Sequence, residues 1–292
     1  MTLIDRSNHH LFQPLLYQVA MAGLSPVDIA VPIRSLLSRY RNVSVVQDEI
    51  VAIDVDSREV RSEQGSWSYD YLLVATGARH AYFGHDEWEE HAPGLKTLSQ
   101  ATEIRRRVLD AFERAENEAD PETRKALLSF AIVGGGPTGV ELAGAIGELS
   151  RSTLAKDFRN IDHRRTRVVL LEAGERILPA FSEASAARAA RDLEGLGAQV
   201  WTNSAVTHVA PDHLKIGDEV LRTHTVLWAA GVMASDLGSE LVRETDRFRL
   251  SGFFAWMTWL LIHIYYLSSF RNRLLVLVQW PGRTSRLAAA RG

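Results

Sequence analysis

Apolar positions along this chain follow two different rhythms. Residues 130–133 (Phe-Ala-Ile-Val), 168–171 (Val-Val-Leu-Leu) and 225–230 (Thr-Val-Leu-Trp-Ala-Ala) are short runs almost free of polar interruption. Such runs read as strands buried on both faces of a parallel sheet. A helical rhythm governs 98–119, where Ile104, Val108, Ala111 and Phe112 form one stripe behind a capping pair, Thr97 and Gln100, and Asp120-Pro121 ends it. A further helix is predicted to start just after Gly136, another over 185–196, and a strand over 199–201. Towards the N-terminus, 2–5, 43–46 and 50–55 read as strands. Apolar and basic residues alternate at helical spacing over 29–40, and 67–78 reads as a buried strand ending in a tight turn. Strands alternating with helices predict an α/β fold.

The most informative junction is Gly134-Gly135-Gly136-Pro137-Thr138-Gly139. It follows an apolar strand and opens a helix, the context that a dinucleotide-binding G-x-G-x-x-G turn requires. Gly134 allows the turn, Gly136 leaves room for a pyrophosphate against bare backbone, and Gly139 lets the helix approach the strand. The helix N-terminus favours the negative charge of the phosphates. The next predicted strand, 167–172, ends in Glu172, a carboxylate suited to ribose hydroxyls and repulsive to a 2′-phosphate. That favours NAD(H) over NADP(H). Glu172 lies 33 residues beyond Gly139, against the usual spacing of about 20, so a longer crossover over 150–165 is expected. An ordinary Gly-rich turn is the bland alternative.

Composition changes the picture in two ways. The chain has no cysteine, which excludes disulfides, thiolate metal sites and thiol redox chemistry. Any electron transfer must therefore run through a bound cofactor. No secretory signal is visible, so the cytoplasmic side is the default. The net charge of −3 also conceals an asymmetry: residues 247–292 hold seven arginines and no acidic residue. The overall charge gives no indication of nucleic-acid binding, whereas the tail would be drawn to an anionic surface. Residues 253–270 carry no charge and as a helix would measure about 27 Å, slightly short of a hydrocarbon core of about 30 Å. Phe253, Trp256, Trp259, Tyr265 and Tyr266, with Arg271 and Arg273 following, are types that settle at a membrane interface. Two short helices lying on a bilayer explain this best. A single tilted span and a buried helix are the alternatives.

Taken together, these residues resemble the type II NADH dehydrogenases, the non-proton-pumping NADH:quinone oxidoreductases. The resemblance rests on Asn8-His9-His10-Leu11-Phe12-Gln13-Pro14-Leu15-Leu16-Tyr17, Val74-Ala75-Thr76-Gly77-Ala78, the glycine turn with Glu141, Leu171-Glu172-Ala173, Leu227-Trp228-Ala229-Ala230-Gly231, and the arginine-flanked tail. It implies a Rossmann-like flavoprotein with two dinucleotide-binding domains. Residues 1–125 would form an incomplete FAD domain, 126–247 an NADH domain with its return strand, and 248–292 C-terminal membrane-associated helices. Asp5 would hold the FAD ribose, and Phe12, Pro14, Leu15, Thr76 and Gly77 would lie along the flavin. Gly134, Gly136, Pro137, Thr138, Gly139 and Glu172 would hold NADH, with Gly231 at the end of the return strand. Glu141 would be the polar group nearest hydride transfer, or merely a first-turn glutamate favoured by the helix dipole. The cofactors implied are FAD and NAD(H), and the partners a quinone and the cytoplasmic face of the inner (plasma) membrane, bound peripherally. The resemblance leaves room for a homodimer.

The chain departs from the family's pattern. A strand and glycine turn for the FAD pyrophosphate would precede Met1. A Gly-Asp flavin motif and a quinone-side segment would lie between Asp246 and Phe248. A truncated, internally deleted chain with weak flavin binding is therefore expected, and a non-catalytic remnant that binds NAD(H) and membrane is the alternative to the enzyme. Smaller signals have bland readings. His9-His10 lacks partners at metal-ligand spacing, and no metal is expected. His80, His85 and His91 read as solvated in a polar loop, and Arg105, Arg106 and Arg107 as an exposed helix face.

Overall fold

The computed structural model describes residues 1–154 and 157–245. The tail over 248–292 lies outside the described residues, and with it the expected membrane-associated helices. Among the described residues no helix is long and apolar enough to cross a membrane.

Four parallel strands form the central sheet, in the spatial order Ala198–Trp201, Arg167–Leu171, Ser129–Val133, Thr225–Trp228. Their period-two alternation divides the core. Phe130, Ile132, Val168, Leu170 and Leu227 face a helical layer. There the long helix Leu98–Asn117 buries Ile104, Val108, Ala111 and Phe112, as its stripe predicts. Phe112 stacks on Phe130 with ring centroids 5.4 Å apart. The helix Pro137–Glu148 adds Leu142, Ala143 and Ile146 to the same layer. Ala131, Val133, Val169, Leu171, Val226 and Trp228 point the other way. They meet Tyr82, Trp88 and a three-stranded antiparallel sheet, Val206–Val209, His213–Ile216 and Glu219–Arg222. That sheet carries Val209, Leu214 and Leu221 as its buried members.

Thr97 and Gln100 form the expected reciprocal cap. Gln100 N donates to Thr97 Oγ1 (3.2 Å), and Thr97 N to Gln100 Oε1 (3.1 Å). Asp120 does more than end the long helix. It caps the next one, Pro121–Leu127, accepting from Thr123 N at 2.8 Å.

Outside the central sheet the strands are short. Thr2–Asp5 pairs in parallel with Ser44–Gln47, and Ile50–Asp54, Glu59–Ser62 and Ser66–Ser68 form an antiparallel meander. The helix expected over 29–40 is split: Pro26–Ile29 and Ile33–Leu37 flank a strand, Ala30–Pro32, that pairs with His9–Leu11. Pro32 removes a backbone donor and fixes φ, so one continuous helix cannot form. The buried strand expected over 67–78 is also corrected. Strand structure stops at Ser68, and Tyr71 and Leu73 are 97% and 91% exposed. No strand lies beside this segment among the described residues, so its backbone has no ladder to join.

A two-stranded antiparallel ribbon, Ala78–His80 with Val232–Ala234, joins the N-terminal part to the sheet domain. Each ribbon strand follows a glycine in the left-handed region, Gly77 at φ +71° and Gly231 at φ +107°. The ribbon is fastened by Arg79 Nη2 on Asp236 Oδ1 at 2.9 Å and by hydroxyl contact between Thr76 and Ser235.

Candidate functional site

The sheet reverses its winding between Ser129–Val133 and Thr225–Trp228. Ligands of open α/β sheets bind at such a switch point, outside the carboxyl ends of the strands. The glycine turn occupies that place. Gly134 sits at φ +108°, and a Cβ there would come within 2.6 Å of the Ala229 and Ala230 backbone. A Cβ on Gly139 would meet the Gly134 carbonyl oxygen at 1.9 Å. Both glycines are needed for packing. Gly136 differs: it has an ordinary extended backbone and nothing within 4 Å of a Cβ position. Its bareness serves space outside the protein, as close approach of a pyrophosphate demands. Gly136 caps the helix Pro137–Glu148 without a side-chain cap, Pro137 and Thr138 open the first turn, and Val140 N closes on Gly136 O at 3.1 Å. First-turn N–H groups have no intrahelical acceptor and suit an anion.

Glu172 stands at the end of the neighbouring strand, as expected, but is engaged. Its Oε2 accepts from Gly135 N at 2.6 Å and its Oε1 from Gly174 N at 2.8 Å. The carboxylate therefore ties the glycine turn to the loop after its own strand. Each oxygen retains a further lone pair for a ribose hydroxyl. Glu141 is exposed and is the fifth residue of its helix. The first-turn dipole reading is thus corrected, because the dipole effect falls off within the first turn.

The flavin-side residues lie elsewhere. Asp5 ends the strand Thr2–Asp5 and accepts from Ser7 N at 2.7 Å. It lines a cavity of ≈ 1140 Å³ with Ser7, His10, Gln13, Lys96 and Thr97. Phe12 is buried in the helical core, Pro14 is exposed and Leu15 half-buried. Thr76 and Gly77 are exposed at the ribbon's entry, and Gly231 at its exit. Lys96, half-buried on the cavity wall, has its ammonium pKa lowered by desolvation.

Beside the switch point lies an aromatic cluster that the pattern of residues did not reveal. Trp228 is buried, donates Nε1 to Ala81 O at 2.9 Å and stacks on Tyr82 at 5.0 Å. Tyr82 donates its hydroxyl to Ala92 O at 2.8 Å, and burial raises its pKa. The loop read as polar and solvated does expose His85, Asp86, Glu87, Glu89 and Glu90, but part of it is packed. Trp88 is buried, His85 stacks on it at 4.2 Å, and His91 is half-buried. His80 lies over Gly94, faces Gln100 Oε1 at 3.3 Å, and has its pKa lowered by burial. Arg107 likewise belongs to no simple exposed face. It donates to Glu90 O (2.9 Å), His91 O (3.1 Å) and Glu103 Oε1 (2.7 Å), clamping this loop. Carbonyl partners of this kind leave no trace in side-chain patterning.

Comparison with known proteins agrees with this geometry. The family model for pyridine nucleotide-disulphide oxidoreductases matches residues 1–248. The type II NADH:quinone oxidoreductase Ndh of Mycobacterium tuberculosis is 44% identical over 252 residues, covering 83% of this chain and 54% of that protein. A probable NADH dehydrogenase of Dictyostelium discoideum is 31% identical over 241 residues, covering 79% and 53%. Among solved structures, NDH2 from Plasmodium falciparum in complex with NADH superposes with a TM-score of 0.74 at 25% identity, over 81% of this chain and 51% of that one. The chain thus spans about half the length of these relatives. With the glycine turn, the acidic strand end and the parallel sheet in place, the chain belongs to the pyridine nucleotide-disulphide oxidoreductase family.

Proposed function

We propose that this chain binds NADH and FAD and works as an NADH:quinone oxidoreductase that pumps no protons. The observation that carries the reading is the open Gly136 at the sheet's switch point, with Glu172 on one side and Ala229–Ala230 on the other. Gly134 and Gly139 hold the turn in shape, and the uncapped first turn of Pro137–Glu148 receives the pyrophosphate. The remaining lone pairs of Glu172 take the ribose hydroxyls and disfavour a 2′-phosphate. Asp5, Phe12, Pro14, Leu15, Thr76 and Gly77 are assigned to FAD, and the cavity beside Asp5 gives that assignment room. Bound FAD supplies the hydride-accepting and electron-passing chemistry. The protein's own part is to orient the nicotinamide, exclude water and, through Glu141, place a carboxylate near the exposed end of the site. The relatives' names support quinone as acceptor. The composition of 248–292 supports peripheral attachment to the cytoplasmic face of the plasma membrane through Phe253, Trp256, Trp259, Tyr265, Tyr266, Arg271 and Arg273. Self-association is compatible with this arrangement.

One observation favours a second reading, nucleotide binding without catalysis. The segment holding Tyr71 and Leu73 is exposed and unpaired on the flavin side, which weakens the support for FAD. The visible spectrum of the purified protein, followed by anaerobic NADH addition, separates the two. The enzyme reading expects flavin bands that bleach with NADH. Absence of flavin, or a flavin indifferent to NADH, would overturn it.

A further inference from the structure

The segment between Ser68 and the ribbon is apolar where water reaches it. Tyr71 and Leu73 are almost fully accessible, and Leu72 between them is 37% exposed. Large apolar side chains grouped in water mark a surface that something else covers. Both ends of the segment are fastened. At its start, Tyr69 N donates to Arg58 O (2.9 Å) and Tyr69 Oη to Asp54 O (3.4 Å). At its end, Thr76 touches Ser235, and Thr76 Oγ1 would be 3.3 Å from a Cβ on Gly238. The helix Asp236–Thr245 begins at that contact and packs against the strand Ile50–Asp54, whose last residue is Asp54. Residues 71–73 are therefore held between two anchors that one helix joins, and the basic tail follows that same helix.

We propose that the uncharged run over 253–270 docks on Tyr71, Leu72 and Leu73 of its own chain, and that an anionic bilayer competes for it. Reach, concentration and charge all favour this occupant. The helix Asp236–Thr245 rises about 15 Å, and the eight residues from Thr245 to Phe253 span up to about 29 Å, enough to return the run to Thr76 and the segment before it. A tether this short holds the run at a roughly millimolar effective concentration, which a second copy of the chain does not match in dilute solution. Asp70, beside Tyr71, is exposed. The tail over 247–292 holds seven arginines, and all 36 acidic residues of the chain precede it. The docked state covers two apolar surfaces at once, and lipid, which receives the same aromatic side chains, releases the segment over 71–73 to water.

Hydrogen exchange of the full chain, read over peptides spanning residues 70–76, tests the docking. The combined variant Trp256→Ser, Trp259→Ser, Leu260→Ser makes the run polar. It is expected to speed exchange in this segment about tenfold, the gain of an open over a docked state at millimolar effective concentration. Exchange in the central strand Ser129–Val133 should stay as slow as in wild type, which shows that the variant is folded. Tyr71→Ser with Leu73→Ser, which alters the surface and leaves the tail intact, is expected to give the same acceleration. Vesicles of phosphatidylglycerol and phosphatidylcholine added to wild type should do so too. Equal exchange over 70–76 in wild type and the tail variant would overturn the proposal. Protection that disappears on dilution of wild type would assign the surface to a second copy and overturn it as well. Protection that survives the vesicles would overturn the competition with lipid. Flavin content and NADH binding enter none of these readouts, so failure of the enzyme reading is distinguishable from failure of the docking.

Discussion

The three motif glycines look alike in sequence but differ in what surrounds them. Gly134 and Gly139 are pressed by backbone atoms, and Gly136 by nothing. Gly134→Ala should therefore destabilise the fold by about 2–4 kcal/mol, through a forced left-handed alanine and a clash that backbone cannot relieve. Gly136→Ala should leave the melting temperature unchanged or slightly higher, since its backbone suits alanine. It should weaken NADH about tenfold by filling the space left for the pyrophosphate. Thermal melting and NADH titration of the two variants check this. A melting loss in Gly136→Ala as large as in Gly134→Ala would refute the distinction. The glycine spacing was legible from the chain. So was the division of roles, with Gly136 left open for a ligand; what was not legible is that Gly134 packs against Ala229 and Ala230, some 95 residues away.

At the scale of elements, the long helix Leu98–Asn117 was readable almost to its ends, because a cap and an apolar stripe are both local signals. Its role as a clamp was not. Hydrogen bonds from Arg106 and Arg107 hold Glu103 ionised, with its pKa lowered to about 2 from 4.5. A carboxylate depressed in the folded state stabilises fully above its unfolded pKa, and that stability disappears as pH falls through the folded value. Glu103→Gln is accordingly expected to melt below wild type at neutral pH and to converge with it as pH is lowered from about 4.5 towards 2. The difference should be small, because Glu103 is about a third exposed and solvent screens the pair. A constant gap across that range would assign Glu103 a packing role. The split over 26–37 shows the opposite failure of local reading, since pairing of Ala30–Pro32 with His9–Leu11 decided it.

For the whole molecule, the ribbon Ala78–His80 with Val232–Ala234 is one structural link beside the shared core of Phe12, Leu16 and Val19 with the helical layer, and His80 ends its first strand. Burial lowers the pKa of His80 from 6.5, against the opposing effects of Gln100 and Glu89, with Lys96 nearby adding to the decrease. A histidine depressed in the folded state binds its proton first in the unfolded chain, so stability falls as pH drops below about 6.5. His80→Gln should flatten the stability profile between about pH 6.5 and 5, measured by denaturant titration. An unchanged slope would remove His80 from the acid response. The echo of Ala75-Thr76-Gly77 in Ala229-Ala230-Gly231 was visible in the chain. That the residues after the two glycines pair with each other appeared only in the fold.

What the sequence determined by itself was whatever neighbours along the chain could settle: buried strands from unbroken apolar runs, the long helix from its stripe and cap, the nucleotide turn from its glycines, and the absence of thiol chemistry. Tertiary structure decided what distant segments do to one another. It turned Glu172 towards two backbone amides, stacked His85 on the buried Trp88, left Tyr71 and Leu73 without a strand beside them, and stood Phe83 over Gly231. The physical reason is the range of the forces involved. Propensity, capping and periodicity act over a few residues, whereas burial, carbonyl clamps and the shape of a switch point arise only after the sheet has brought positions 83, 134, 172 and 231 together.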